Sequence, residues 1–355
     1  MVESRISAVE LPPFYCPLES RSHPRSAQVE QRAREWLRTC GMCGTDEEYR
    51  QVAASRSVDF YGRFAPSADD DRLLATAAWV YWGFAFDDAR CDTGPLSRRP
   101  AEFGALAGRV QRALEAPSAV DADERFGPPL RDIAARFRSL GTDTQFRRFA
   151  AAHRAWLSGV CWQVGVLAQG RTPGLDEYLA MRLLSSGGEP TFAMLELATG
   201  AEVEAAEMHR PAVRALTEMA IMVAALDNDR HSLRRELCDG QDLNIYTVLG
   251  RSTGLPLPDV VRTATGVRDR ILVRFLSLYE RVRRGASSGL RAYLLGLCHG
   301  IRGNAEWGLR VPRYVGDRTD VAGDVPAAVW ARQPVDGDSR PVPAASIAWW
   351  WDDLA

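Results

Sequence analysis

Apolar residues recur along this chain at the three-to-four spacing of helices, and strand-like alternation is rare. In "SAQVEQRAREWLRT", Val29, Ala33, Trp36 and Leu37 share one face, and Gly41 marks the stop. "DDRLLATAAWVYWGFAF" is apolar nearly all round, which predicts a helix buried in a core. Further helices are predicted around Phe146–Gln169 and over "LDEYLAMRLLSS", which follows Pro173 and Gly174 and ends at the breaker "GGEP". A long helix starts at Pro211, another runs through "LPDVVRTATGVRDRILVRFLSLYERV", and a last one follows "GLRAYLLGL". Pro12, Pro13 and Pro17 make residues 1–25 an extended strap. Residues 315–355 are rich in Gly, Pro and Asp and read as loop or disorder. Their end carries Trp349, Trp350 and Trp351, too much apolar surface to stand bare in water, so this tip should fold back on the body or bind a partner. No boundary divides residues 26–314, and one all-α helical bundle is the expected fold.

Composition narrows the functions open to such a bundle. The 355 residues carry a net charge of −2, which argues against nucleic acid or an anionic membrane as partner. All 44 basic residues are arginines, so any mechanism needing a lysine is excluded. The N-terminus does not read as a signal peptide, and the apolar run at Leu73–Phe86 is too short to span a bilayer. Seven scattered cysteines fit reduced thiols and a cytoplasmic location. Cys40 and Cys43 form a C-x-x-C with no second pair at zinc spacing.

Two polar clusters interrupt the apolar pattern. The core helix ends in Asp87-Asp88-Ala89-Arg90-Cys91-Asp92, where an α-helix would set Asp88 and Asp92 one turn apart on one face. Carboxylates at a helix C-terminus oppose the macrodipole, and close together they call for a cation. The long helix from Pro211 carries Asn228, Ser232 and Glu236 at i, i+4 and i+8, a line of hard oxygen ligands suited to Mg²⁺. Each cluster taken alone also fits a solvated helix face.

Together, Asp-Asp-x-x-x-Asp and Asn-Asp-x-x-Ser-x-x-x-Glu resemble the paired metal motifs of bacterial class I terpene cyclases. The resemblance implies a helical barrel around an apolar cavity. It also implies three Mg²⁺, with Mn²⁺ as an alternative, bound by Asp87, Asp88, Asp92, Asn228, Ser232 and Glu236, and a prenyl diphosphate substrate. Arg182 stands where this family carries its diphosphate sensor, with Ser185 as linker and the Ser186 carbonyl as effector. Arg313-Tyr314 matches the family's Arg-Tyr pair that donates to the diphosphate, and Arg235, next to Glu236, assists. "PFYCPLESRSHP" and "VDFYGRFAP" look like the family's N-terminal strap and the segment after it. Arg230-His231 departs from the usual pattern inside the second motif. The resemblance leans toward diterpene rather than sesquiterpene cyclases, a C20 rather than a C15 substrate, and is compatible with a homodimer.

A carbocation freed in such a site needs a dry wall of aromatic faces. Trp79 and Gly83 precede the aspartates by two turns and one, and Trp156, Phe192 and Trp307 sit on other core segments. Arg182 lies on an otherwise apolar helix and needs an anionic partner, with Asp87 as a first choice before substrate binds. His153 and His299 read as satisfied core or surface residues. Chain-elongating prenyltransferases share the fold but use two aspartate-rich motifs and lysines, which this chain lacks. A non-catalytic helical scaffold would need neither polar stripe.

Overall fold

The computed structural model describes residues 11–92, 94–116, 118, 125–239, 243–315 and 329–354. The chain runs through α1 (Ser26–Thr39), α2 (Asp46–Ala53), α3 (Ser57–Phe64) and α4 (Asp70–Phe86), and a π-helical turn at Asp87–Asp92 continues α4. Then come α5 (Pro100–Glu115), α6 (Gly127–Leu140), α7 (Asp143–Ala168), α8 (Leu175–Ser185) and α9 (Gly188–Thr199). The second half holds α10 (Ala205–Met208), α11 (Pro211–Asp239), α12 (Ile245–Thr253), α13 (Leu257–Val282), α14 (Ser288–Gly308) and α15 (Pro312–Val315). No helix among the described residues is long and apolar enough to cross a membrane.

Local signals fix these ends. α1 buries Val29, Ala33, Trp36 and Leu37, the face its spacing predicts. α7 starts in a capping box, Thr142 with Gln145, which satisfies two otherwise orphaned N–H groups. α4 is buried on every side from Leu73 to Gly83 and forms the central rod. α11 packs on α13 and α14, α14 on α3, and α7 on α5, α8 and α9, so the helices close around α4 and α11. α5 and α6, which the sequence reading passes over, bury Phe103, Leu106, Val110 and Leu114, and Leu130, Ile133 and Phe137, at ordinary helical spacing.

The described segments 11–25 and 329–354 are tied to α11 and α13. Phe14–Tyr15 and Trp330–Ala331 form a two-residue parallel ladder, β1 and β2. Beneath it Arg268 grips Asp227 with both ends of its guanidinium, at 2.8 and 3.0 Å, and also donates to the Tyr15 carbonyl. Asp269 accepts the Val335 N–H at 2.8 Å. Arg230 lies over the Phe14 ring at 3.8 Å, and the His231 ring is 5.4 Å from it. The Arg230-His231 departure is thus the seat of the strap. The tryptophan-rich tip packs on the body: Trp350 is fully buried and donates its indole N–H to Glu218 at 2.8 Å, while Arg274 holds the Trp350 and Asp352 carbonyls.

Trp350→Ala would empty that pocket and take the indole donor from Glu218 Oε2, leaving Glu218 with Arg214 alone. The expected loss is about 3–5 kcal/mol, read as a lower thermal midpoint. A midpoint matching the parent's would show that the tip adds nothing to the fold.

Candidate active site

One stripe on each central helix changes character at the same end of the bundle. Along α4, Trp79, Val80, Gly83 and Phe84 face a cavity, and the next turn brings Asp87 to its edge. Along α11, Ile221, Ala224 and Ala225 face the same cavity, and the next turn brings Asn228. The remaining wall comes from Phe60 and Phe64 of α3, Trp156 of α7, Thr191 and Phe192 of α9, and Asn304 and Trp307 of α14. The cavity volume is about 100 Å³. All the positions singled out for the wall, Trp79, Gly83, Trp156, Phe192 and Trp307, line it.

Behind the polar stripe of α11 sits Asp229, 1% exposed. Its carboxylate accepts from Arg182 Nε at 3.0 Å, from the Ile245 N–H at 3.1 Å and from the Tyr178 hydroxyl. Burial pushes its pKa above the ordinary range, against the pull of Arg182 foremost, then of Tyr178 and the Ile245 amide. Arg182 also donates to Asn228 Oδ1 at 2.8 Å. Arg182 is thus held by Asp229 and Asn228 of the second motif, two partners that the sequence reading did not name. Asn244 caps α12, accepting the Tyr246 N–H at 3.0 Å, and its amide donates to Glu236 Oε2 at 2.7 Å and to the Asp229 carbonyl at 2.8 Å. Burial, then the charge of Asp229, raises the Glu236 pKa, while Asn244 and Ser232 hydrogen bonds lower it. Ser232 is buried, and its hydroxyl donates to the Asn228 carbonyl at 2.8 Å.

Opposite, Arg313 meets Asp88 through two parallel hydrogen bonds of 2.6 Å each, a fork-to-fork pair. The buried Arg313 Nε has no acceptor. Tyr314 accepts the Asn228 amide N–H at 2.6 Å and stacks on His231. The Arg235 guanidinium lies 5.8 Å from the Tyr314 ring centre. Asp87–Asp92 is one π-helical segment, so the α-helical register expected for Asp88 and Asp92 does not hold: bonds from i to i+5 widen the turn and rotate each later residue. The Asp92 side chain lies outside the described residues.

Between α8 and α9 the chain breaks at Ser186-Gly187. The Ser186 N–H still bonds the Arg182 carbonyl at 3.1 Å, and Gly187 then takes φ +75°, which a side chain would oppose. Gly188 opens α9, and a Cβ there would lie 2.4 Å from Ile221. "GGEP" therefore ends one helix and begins the next. Ser186 and Gly187 line the cavity, whereas Ser185 is buried with its hydroxyl unpartnered.

Among the described residues, no three His, Cys, Asp or Glu side chains gather closely enough to hold a metal ion by themselves. The acids stand on two facing helices instead. Residues 78–272 match the family described as "Terpene synthase family 2, C-terminal metal binding". Spiroviolene synthase of Streptomyces violens is 65% identical over 353 residues, 98% of each chain.

The chain belongs to the terpene synthase family.

Phomopsene synthase of Allokutzneria albata is 36% identical over 350 residues, 97% of each chain. A solved single-site variant of SVS_A2, a protein from ancestral sequence reconstruction, superposes with a TM-score of 0.91 at 65% identity, covering 98% of this chain and all of that one. The helical fold matches the class I terpene synthase fold of its structural neighbours. Against the sequence reading, the mouth gains Tyr178, Asp229 and Asn244. Tyr178 lies one turn before Arg182 on α8, and Asn244 carries the signature of an N-cap, so two of the three had a local signal.

Gly188→Ala is expected to destabilise the protein by about 1–3 kcal/mol, because Ile221 must leave its rotamer or α9 must move off α11. Denaturant unfolding reads this directly. An unchanged midpoint would mean that the close helix approach is not required.

Proposed function

We propose that this terpene synthase is a carbon–oxygen lyase that removes diphosphate from geranylgeranyl diphosphate and closes the C20 cation into a polycyclic product. The observation that carries the reading is the cavity itself: walled mainly by aromatic and apolar side chains, with Asp87 its one charged lining residue among those described, where α4 reaches the mouth. The 65% identity to spiroviolene synthase, a diterpene cyclase, supports C20 over C15. We place the reaction in the cytoplasm, where the six described free cysteines stay reduced.

The donors at the mouth suit hard divalent cations. Asp87, Asp88, Asp92, Asn228, Ser232 and Glu236 offer carboxylate, amide and hydroxyl oxygens, with no thiolate or imidazole among them. Burial and the charge of Asp229 hold the Glu236 pKa above the ordinary carboxylate value, a strain that a nearby cation would relieve. These six residues would hold three Mg²⁺, or Mn²⁺ in its place, whose charge would stabilise the leaving diphosphate.

The chain's own groups do the rest. Arg182, Arg313 and Tyr314 bind the diphosphate, using planar or hydroxyl donors that lie at the mouth, and Arg235 adds positive charge beside Tyr314. Arg182 and Arg313 are parked on Asn228, Asp229 and Asp88 and keep their charge without substrate. As the C–O bond breaks, its electron pair leaves with diphosphate. Ser186, at the helix break four residues past Arg182, presents its carbonyl toward the cation. The wall excludes water while alkene electron pairs close the rings, and Trp79, Trp156, Phe192 and Trp307 turn aromatic faces to the moving charge. Loss of a proton ends the reaction as a neutral hydrocarbon.

Incubation with C10, C15, C20 and C25 diphosphates and Mg²⁺, followed by mass spectrometry, tests the assignment. The C20 substrate should be turned over fastest, to a cyclic hydrocarbon. Faster turnover of C15, or none at all, would overturn it. Arg182→Ala should cut diphosphate release by roughly a hundredfold or more while circular dichroism stays unchanged. Normal release from the folded variant would remove Arg182 from the ionisation step. Glu236→Gln keeps an oxygen but loses charge, so it should raise the Mg²⁺ requirement by roughly tenfold. An unchanged Mg²⁺ dependence would mean that the α11 stripe holds no cation.

A further inference from the structure

Behind the cavity wall lies an imidazole that the reaction described above does not use. His153, on α7, is fully buried. Its ring centre lies 6.1 Å from that of Trp79, 5.4 Å from Trp156, 5.6 Å from Trp82 and 5.9 Å from Phe149, a cage of aromatic rings. Trp79 and Trp156 are also wall residues of the cavity. His153 is therefore separated from the cavity by two indoles.

Its protonation can be read from its neighbours. His153 Nδ1 is 2.8 Å from Gln111 Oε1. The Gln111 amide nitrogen donates to the Ala150 carbonyl at 2.9 Å and to Glu115 at 2.7 Å, which fixes that amide with its oxygen toward His153. An amide oxygen only accepts, so Nδ1 carries the proton and Nε2 carries a bare lone pair. Burial holds the ring neutral, with its pKa lowered to about 3. Nε2 has no partner. One turn of α4 away, Trp82 gives its indole N–H to the Phe126 carbonyl at 2.9 Å, but the buried Trp79 indole N–H has no acceptor. An unmet acceptor and an unmet donor thus share one cage, on rings set nearly edge to face at 74°. Buried polar groups of opposite kind rarely remain unpaired side by side.

Resting on the cyclase reading, we propose that His153 is a positioning residue for the cation wall: its Nε2 lone pair accepts the Trp79 indole N–H and so sets the angle at which Trp79 faces the substrate. The bond forms when the indole turns its N–H toward Nε2. The benzo edge of Trp79 lies against Gly83, where a Cβ would stand 3.7–3.9 Å away, so contact there is not tight and the indole has room to turn. The bond withdraws the N–H dipole from the cavity and fixes one tryptophan rotamer. Which cation is stabilised longest, and hence which product forms, depends on that angle. The imidazole must be neutral for this role, since a charge behind the wall would oppose the cation in front of it.

The test separates an acceptor from mere packing. His153→Gln can return an acceptor to the Nε2 position, whereas His153→Asn reaches only the Nδ1 position and His153→Phe offers none. With geranylgeranyl diphosphate and Mg²⁺, diphosphate release should stay within about threefold of the parent in all three. His153→Gln should keep the parent's product ratio. His153→Asn and His153→Phe should raise the share of acyclic and partly cyclised products by roughly fivefold. Gln111→Leu, which frees the imidazole to carry its proton on Nε2, should shift products in the same direction. Equal product shifts in His153→Gln and His153→Asn, or none in any variant, would overturn the proposal. A parent protein that releases no diphosphate from any prenyl substrate would instead overturn the cyclase reading. Should the variants fail to fold, the indole N–H resonance of Trp79 in the ¹⁵N-labelled parent, assigned by its loss in Trp79→Phe, decides: a downfield position of a hydrogen-bonded proton is expected, and the position of a free indole would contradict the proposal.

Discussion

Asp229 is a carboxylate almost without contact with water, and the ordered mouth of the cavity is built on it. Tyr178 and Arg182 reach it from α8, the Ile245 amide reaches it from the start of α12, and it stands on α11 between Asn228 and Arg230. A buried charge of this kind is tolerated only where partners surround it, and removing one partner costs far more than the pair contributes. Its position is thereby set in three directions, and Asn228 is set with it. Asn244 adds a further tie by bonding both the Asp229 carbonyl and Glu236. The oxygen line of α11 is therefore held from behind, not by the groups that would fill the mouth.

The second half of the mouth depends on that line. Asn228 gives its N–H to Tyr314, which places α15, and the neighbouring Arg313 spans to Asp88 at the end of α4. Both proposed diphosphate-binding arginines are held by groups of the two proposed metal motifs. The molecule can thus keep arginines and carboxylates side by side at the mouth of an aromatic cavity without stranding a charge. Arg230 and His231 extend the same helix outward to Phe14, so the strap is anchored to the polar stripe it lies beside.

Much of this was legible in the sequence because helices announce their buried faces. α1, α7, α8, α11, α13 and α14 followed from apolar spacing, Pro at the starts and Gly at the breaks. The two polar stripes were visible because they interrupt apolar runs. The hidden parts were those that depend on contacts across the chain. Nothing near Arg182 names Asp229 as its partner, 47 residues away. The π-helical turn at Asp87–Asp92 changes hydrogen bonding without changing residue types, so the expected α-helical register had no local contradiction. His153 looked like an ordinary core histidine until Gln111, which is 42 residues distant, fixed its tautomer.

The central claim is that Asn228 and Asp88, which now pair with Arg182 and Arg313, are among the groups that would hold the cations, so metal and diphosphate must bind as linked events. Titration calorimetry of inorganic diphosphate against the protein, with and without Mg²⁺, tests this without turnover. The account predicts diphosphate affinity at least roughly tenfold higher with Mg²⁺ than without it, after correction for Mg–diphosphate complexation in solution, and loss of that gain in Asp88→Ala. Equal affinity in both conditions would contradict it.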